Sequence, residues 1–420
     1  MAGERQSRGV GQRSGDVVGD GSTGTEFSPG HSSSLVVGGG SSPIPVAGMR
    51  AQIRGLPRGS LRRGPLPRGC VLCQKGAKMV LLVTGKCGAH CWYCPLSAEK
   101  RGRDVVFADE MRVRRPADVL REASMIDAEG TGITGGDPML APRRTLSFIR
   151  LLKKRFGREH HIHLYTAGRF SPRLIRSLAL AGLDELRIHP PTPLWRRFGR
   201  SHQALLLGTA IREGIQAGAE VPAIPGMEEE LLALARSLDA LGARFLNLNE
   251  LEYSETNFRQ LNRRGWTVRS DVSSAVLGSE ETARRVVERA DVEMALHYCS
   301  SSFKDGVQLR RRILRRARNV ARPYQLITSE GTLLTGIIEG PPSILAWVRR
   351  AGVPTELSAY NRRMRRVEAA PWLLEELAPR LRQTLLMRGG KGRARVGGPK
   401  LFIVEEYPTA DGLEVERTPL

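Results

Sequence analysis

Three cysteines spaced Cys87-x-x-x-Cys91-x-x-Cys94 directly follow an apolar run, and no other feature constrains the chain as much. Met79-Val80-Leu81-Leu82-Val83-Thr84 reads as a buried strand, so the thiols sit on the loop that leaves it. Three thiolates from one short loop can hold three corners of a cubane iron–sulfur cluster and leave the fourth iron without a protein ligand. An open iron can bind a small molecule and pass it an electron. Zinc also suits such a loop, but it prefers four closed ligands, the fourth coming from His90 or another cysteine.

Composition narrows the setting. A chain of 420 residues, 40% of them apolar, can hold one barrel-sized domain and something smaller. No stretch approaches the roughly 18 to 20 apolar residues of a membrane span, and the N-terminus lacks the apolar core of a signal peptide. A cytoplasmic location is expected. Six cysteines, three of them in one metal-like loop, point to reduced thiols rather than a disulfide framework. The net charge of +22 suggests RNA or a phosphorylated substrate as partner, or a host proteome rich in arginine.

The chain divides by texture. Residues 1–48 are rich in Gly and Ser and show neither helical nor strand periodicity, so they are expected to be disordered; Met49, where the texture changes, is a second candidate start. Residues 49–78 form a basic, proline-broken lead-in, with seven Lys or Arg and no acid over 51–78, and carry Cys70-x-x-Cys73 near their end. Over 79–305, short apolar strands alternate with amphipathic helices, the mark of βα units and a parallel sheet. Strands are expected at Thr131–Thr134, His161–Thr166, Asp184–Ile188, Ala219–Ile224 and Phe245–Leu248. With the first, they give six βα units, which suit an open partial barrel better than a closed eightfold one. A short apolar segment, Val292–Leu296, is a candidate seventh strand. Residues 306–420 read as a basic accessory region. It starts with an arginine-rich helix near 308–317 and a hairpin turning at Glu330-Gly331, and is helical and irregular beyond 340.

The segment Cys87-Gly-Ala-His-Cys91-Trp-Tyr-Cys94-Pro resembles the signature of the radical S-adenosylmethionine (SAM) superfamily, and the chain is similar to its archaeal-type branch related to pyruvate formate-lyase activating enzymes. The resemblance covers roughly residues 79–255 and implies an α/β partial (β/α)6 barrel. It implies a 4Fe-4S cluster held by Cys87, Cys91 and Cys94, with SAM chelated at the open iron. An external low-potential donor would supply an electron, and SAM would be split to a 5′-deoxyadenosyl radical that abstracts hydrogen from a substrate. Tyr93 would lie near the adenine, and the turn Gly135-Gly136-Asp137 resembles the motif, usually ending in Glu, that holds the SAM amino group. Thr166 and Arg187, at the ends of two strands, would contact SAM, and Ile224 would pack on the adenine. A glycyl radical protein is the partner that relatedness to activases suggests.

Several residues stand outside that pattern. Asn247 and Asn249 alternate onto one face of their strand, where they suit substrate recognition at a barrel mouth or hydrogen bonds to loops. His161, His163 and His189 are strand or pocket residues. Cys70, Cys73 and Cys299, with His297 two residues before the last, are candidates for a second metal site. The rival readings are a radical SAM enzyme that modifies RNA and a non-catalytic zinc protein that binds nucleic acid through arginine-rich segments.

Overall fold

A computed structural model describes residues 51–387 and 400–420; the tail expected over 1–48 and the alternative start at Met49 lie outside the described residues. Among the described residues no helix is long and apolar enough to cross a membrane.

The sheet is built from seven parallel strands with antiparallel additions at both edges. The lead-in supplies β1 (Ile53–Gly55), β2 (Leu61–Arg63) and helix α1 (Arg68–Gln74). Its prolines fall between these elements, with Pro57 opening a single 3-10 turn and Pro67 capping α1. Then follow β3 (Lys78–Leu82), the hairpin β4 (Phe107–Ala108) and β5 (Met111–Arg112), α2 (Pro116–Met125), β6 (Gly130–Thr134), α3 (Pro142–Phe156) and β7 (His161–Thr166). The chain continues through α4 (Arg173–Ala181), β8 (Glu185–Ile188), α5 (His202–Arg212), β9 (Gln216–Ala223), α6 (Glu228–Ala240) and β10 (Phe245–Glu250). A short excursion, α7 (Phe258–Asn262) with the ribbon β11 (Val268–Ser270) and β12 (Ser273–Val276), leads to α8 (Ser279–Arg289) and β13 (Ala295–Cys299). The order across the sheet is β1-β2-β13-β10-β9-β8-β7-β6-β3-β4-β5. The seventh parallel strand is therefore real, but it runs to Cys299 rather than stopping at Leu296.

Alternation divides each strand between two environments. Ile133, Ile162, Leu164, Leu186, Ile188, Val221, Leu246, Leu248 and Leu296 are fully buried in the apolar core, which also takes in apolar residues of α2–α6 and α8. The opposite face is polar: His163, Tyr165, Glu185, Arg187, Glu220, Asn247, Asn249 and His297 share it by register. A closed barrel fills its interior with branched apolar side chains; this partial barrel keeps a charged lumen instead. Helix α1 packs against β3, β6 and β7 and occupies part of that lumen. It fits because β6 turns Gly130 toward it, while Gly132 leaves room for the lumen side chain His163. A Cβ at Gly130 would stand 2.6 Å from Leu72 Cδ1, and one at Gly132 would stand 2.7 Å from His163 Nε2.

After β13 come the single turn α9 (Ser301–Phe303), a π-helical stretch at Lys304–Leu309, and the arginine-rich α10 (Arg310–Val320). The charge of α10 is answered within the chain. Arg312 pairs with Asp109 and Glu110, Arg316 with the buried Glu122, and Arg315 with Asp127 at 2.8 Å. Burial lifts the Glu122 carboxyl to about 7, against the pull of Arg316.

The hairpin turning at Glu330-Gly331 is present, pairing Leu326–Ile327 with Leu333–Leu334, but the described residues beyond 340 are not only helical and irregular as their sequence reads. The described residues beyond 320 fold as a six-stranded antiparallel sheet: β14 (Leu326–Ile327), β15 (Leu333–Glu339), β16 (Ser358–Asn361), β17 (Arg366–Ala369), β18 (Leu401–Glu406) and β19 (Glu414–Pro419). Helices α11 (Ser343–Arg350) and α12 (Pro371–Met387) accompany it. Ile338, Val348, Val367, Leu374 and Leu401 form its core. The strands are short and carry charge inside: buried Arg366 is 2.8 Å from both Glu368 and Glu406, which hides the alternation that marks a strand.

Candidate active site

The cysteine loop leaves β3 at the carboxyl ends of the parallel strands, where enzymes of barrel type collect their reactive groups. Cys87 is exposed, and Cys91 and Cys94 are half-buried. Partial burial pushes the thiols of Cys87 and Cys91 up. The Ala89 N–H donates to Cys87 Sγ at 3.4 Å, as it would to a thiolate ligand. Among the described residues, no three of His, Cys, Asp and Glu converge closely enough to hold one metal ion. The donor set of the loop is three sulfurs on eight residues, chemistry that fits a cluster, whose ligands stand farther apart than those of a single ion.

The turn after β6 seats this loop. Gly136 N–H donates to Thr84 O at 2.7 Å, and Asp137 N–H donates to Lys86 O at 2.8 Å. A Cβ on Gly135 would stand 2.3 Å from Thr84 O and one on Gly136 2.3 Å from Lys86 O. The two glycines are thus required by the loop that carries the cysteines. Asp137 is buried, with its carboxylate accepting from Met139 N–H at 2.9 Å, Thr166 Oγ1 at 2.9 Å and Ala167 N–H at 3.1 Å. It ties the end of β6 to the end of β7. Burial raises its pKa despite these donors.

Tyr93 is buried, edge-on to Trp92, with its phenol 2.9 Å from His189 Nε2. Two residues that sequence reasoning missed clamp the same loop from the segment after β10. Asn257, fully buried, donates to Tyr93 O at 3.0 Å, and Thr256 donates to Cys94 O at 3.2 Å. The polar run Ser254-Glu255-Thr256-Asn257 was the only signal that could have found them. Ile224 is buried directly after β9.

Arg187 turns into the lumen, not onto the rim. Its guanidinium donates to Glu185 at 2.5 Å, to Glu220 at 2.6 Å and to Tyr165 OH at 3.1 Å. Glu220, also missed in the sequence, is the hub. It accepts from Asn247 at 3.0 Å and Asn249 at 2.8 Å. Burial would raise its pKa, but Arg187 and the two amides outweigh it and hold the carboxylate at about 2. The paired asparagines therefore serve a lumen carboxylate. His161 lies 3.5 Å from Glu185, and His163 is buried beside Gly132; neither stands in a metal-ligand group.

Cys70, Cys73 and Cys299 come to one part of the lumen. Cys70 Sγ accepts from Asn247 Nδ2 at 3.3 Å and Arg187 Nη2 at 3.4 Å. The Gln308 carboxamide links the other two, accepting from Cys73 Sγ at 2.7 Å and donating to Cys299 Sγ at 3.4 Å. Burial pushes Cys70 up to about 11 and Cys299 up to about 12.

Residues 81–199 match the radical SAM superfamily, and residues 331–420 match a domain of unknown function, DUF8061. A protein of Methanocaldococcus jannaschii named as a putative glycyl-radical enzyme activating enzyme is 37% identical over 364 residues, covering 84% of this chain and 93% of its own. Among solved structures, methylornithine synthase (PylB) aligns with a TM-score of 0.35 at 13% identity, over 50% of this chain and 62% of that one. SuiB of Streptococcus suis bound to S-adenosylmethionine aligns with a TM-score of 0.36 at 12% identity, over 54% and 50%. With a relative this similar over nearly its whole length, and the superfamily match spanning the cysteine loop, the turn after β6 and the next two strands, the chain belongs to the radical SAM superfamily and is an enzyme.

Proposed function

We propose that the protein reductively cleaves S-adenosylmethionine and directs the resulting hydrogen abstraction at a protein or peptide substrate. The observation that carries this reading is the seating of the three-cysteine loop on the turn Gly135-Gly136-Asp137 at the carboxyl end of the sheet. Cys87, Cys91 and Cys94 would hold a 4Fe-4S cluster, which supplies one electron to SAM at its open iron when both are bound.

The chain's own groups do the rest. Asp137 would take the SAM ammonium: a carboxylate has about four acceptor positions, and three donors already fix its orientation. Thr166 holds Asp137 from the next strand and would stay in that place. Tyr93 and Ile224 would form the apolar wall for the adenine. Asn257 and Thr256 fix the backbone of the cysteine loop, so its thiols are presented on a rigid support. The barrel over 79–305 is the catalytic unit in this reading. The substrate class follows from the M. jannaschii relative, whose name describes activation of a glycyl-radical enzyme.

Anaerobic reconstitution tests the reading. The protein should bind about four irons through the loop and, given dithionite and SAM, slowly release 5′-deoxyadenosine and methionine. Cys91→Ala should abolish both. A colourless protein that carries only zinc after anaerobic preparation overturns it.

A further inference from the structure

We propose that Cys70, Cys73 and Cys299, with His297, hold a second metal centre inside the lumen, an auxiliary iron–sulfur cluster separate from the Cys87–Cys94 loop. Two distant segments converge to make it. Cys70 and Cys73 lie one turn apart on α1, the helix packed inside the sheet, and Cys299 ends β13. The three thiols stand within electrostatic reach of one another.

Their surroundings suit ligated sulfur. Arg187 and Asn247 aim N–H donors at Cys70, and Gln308 aims one at Cys299. A thiol accepts such bonds weakly; a metal-bound thiolate accepts them well, and donors of this kind orient and tune it. Arg187 and Lys304 face the thiols, each paired with carboxylates: Arg187 with Glu185 and Glu220, Lys304 with Glu252.

His297 points independently to a ligand. It is 2% exposed, and neither ring nitrogen has a hydrogen-bond partner. Two residues before Cys299, it faces the lumen on the same side of β13, in register with Asn247. Asn247 in turn bonds Cys70 and leaves its own Oδ1 without a partner. Buried polar atoms without partners are costly, and a metal on an imidazole nitrogen would remove part of that cost. Gln308, which lies between Cys73 and Cys299, is carried on the π-helical stretch Lys304–Leu309, a conformation frequent at functional sites.

The proposed centre is a cluster, whose ligands hold separate irons, rather than a single ion. No three of the donors converge on one point, and a long, flexible side chain fills the space between two of the sulfurs. On assembly three thiols would lose their protons, and equal parts of ferrous and ferric iron, with sulfide, would come from solution, so that no further oxidant is needed.

The test uses the full chain with Cys87, Cys91 and Cys94 all changed to Ala, reconstituted anaerobically with ferrous and ferric iron in equal parts and sulfide. This variant should hold about four irons per chain and the native protein about eight, and adding Cys73→Ala and Cys299→Ser should remove the iron from the variant. Four irons in the native protein and none in the triple variant leave the loop cluster standing and overturn the second centre. Zinc without iron in the triple variant overturns the cluster assignment. Should Cys299→Ser fail to fold, alkylation of Cys73 in the triple variant decides: iodoacetamide should be blocked after reconstitution and react after chelation, and equal labelling in both states overturns the proposal.

Discussion

The phenol oxygen of Tyr93 lies 2.9 Å from Nε2 of His189, and His189 Nδ1 lies 2.8 Å from the carbonyl oxygen of Glu220. A carbonyl only accepts, so Nδ1 carries the proton and Nε2 accepts from the tyrosine. Burial lowers the His189 pKa, which keeps the ring neutral and this direction fixed. The residue before the last loop cysteine is thereby tied to the strand whose side chain is the lumen's central carboxylate.

Tyr93→Phe keeps the ring and removes that tie. It should lower stability by about 0.5–1.5 kcal/mol, the usual net worth of one hydrogen bond, while iron content is retained. Tyr93→Ala empties a buried ring site and should cost about 3–5 kcal/mol. Urea denaturation of the apoprotein, with iron analysis of each variant, checks both; equal losses would mean that the hydroxyl and not the ring secures the loop.

Asp137 joins two strands and would also receive SAM, so Asp137→Ala would confound the roles. Asp137→Asn preserves the shape and one acceptor, and sets its NH2 against either Met139 N–H or Ala167 N–H. It should weaken SAM binding by about 1.5–3 kcal/mol through loss of a charge-assisted contact, with a smaller change in melting temperature. Equilibrium dialysis on reconstituted protein measures it, and unchanged affinity removes Asp137 from the cofactor site.

Arg316 and Glu122 form a buried pair between α10 and α2. Arg316→Ala strands a buried carboxylate and should cost about 3–5 kcal/mol, whereas the double variant Arg316→Leu, Glu122→Leu should lie near the native stability. Chemical denaturation distinguishes them. A single variant as stable as the native chain would show that the helix is not held by its charge and would reopen it as a surface for a polyanion.

The sequence told most about what depends on local pattern. The cysteine spacing, the strand it follows and the βα alternation each announce themselves within a few residues. Glu220 and Asn257 could not be read because their importance comes from partners 27 or more residues away: Asn247 for the first, Tyr93 for the second. The C-terminal sheet was illegible for a related reason. Arg366 and Glu368 are buried as a mutual pair, so inward positions look like outward ones. Helix α10 shows the converse, a run of arginines that resembles a free basic face until Asp109, Glu110 and Glu122 are brought against it by the fold.

The same burial of polar groups sets the response to acid. Burial first, and then the nearby Lys153, hold His160 down at about 4; burial and then Arg187 hold His163 well below its ordinary 6.5. Both rings are neutral in the folded protein, while in the unfolded chain they take up protons near pH 6.5. Between pH 6.5 and about 4 the unfolded state therefore binds more protons, and stability falls as pH falls, by up to about 1.4 kcal/mol per pH unit for each histidine. Glu220 adds to this at lower pH. Its carboxylate is held at about 2 when folded and protonates near 4.5 when unfolded, so its contribution is present above 4.5 and lost toward 2. Glu122 works the other way: its carboxyl, lifted to about 7 in the fold, is protonated there first and offsets one histidine between pH 7 and 4.5. Urea midpoints measured at pH 7.5, 5.5 and 4.5 should therefore decline by what the histidines add beyond it. His160→Gln, which can keep the contact to Thr131 Oγ1 now made at 2.8 Å, should reduce the slope by about one proton. A slope that His160→Gln leaves unchanged would mean that His160 is protonated in the fold.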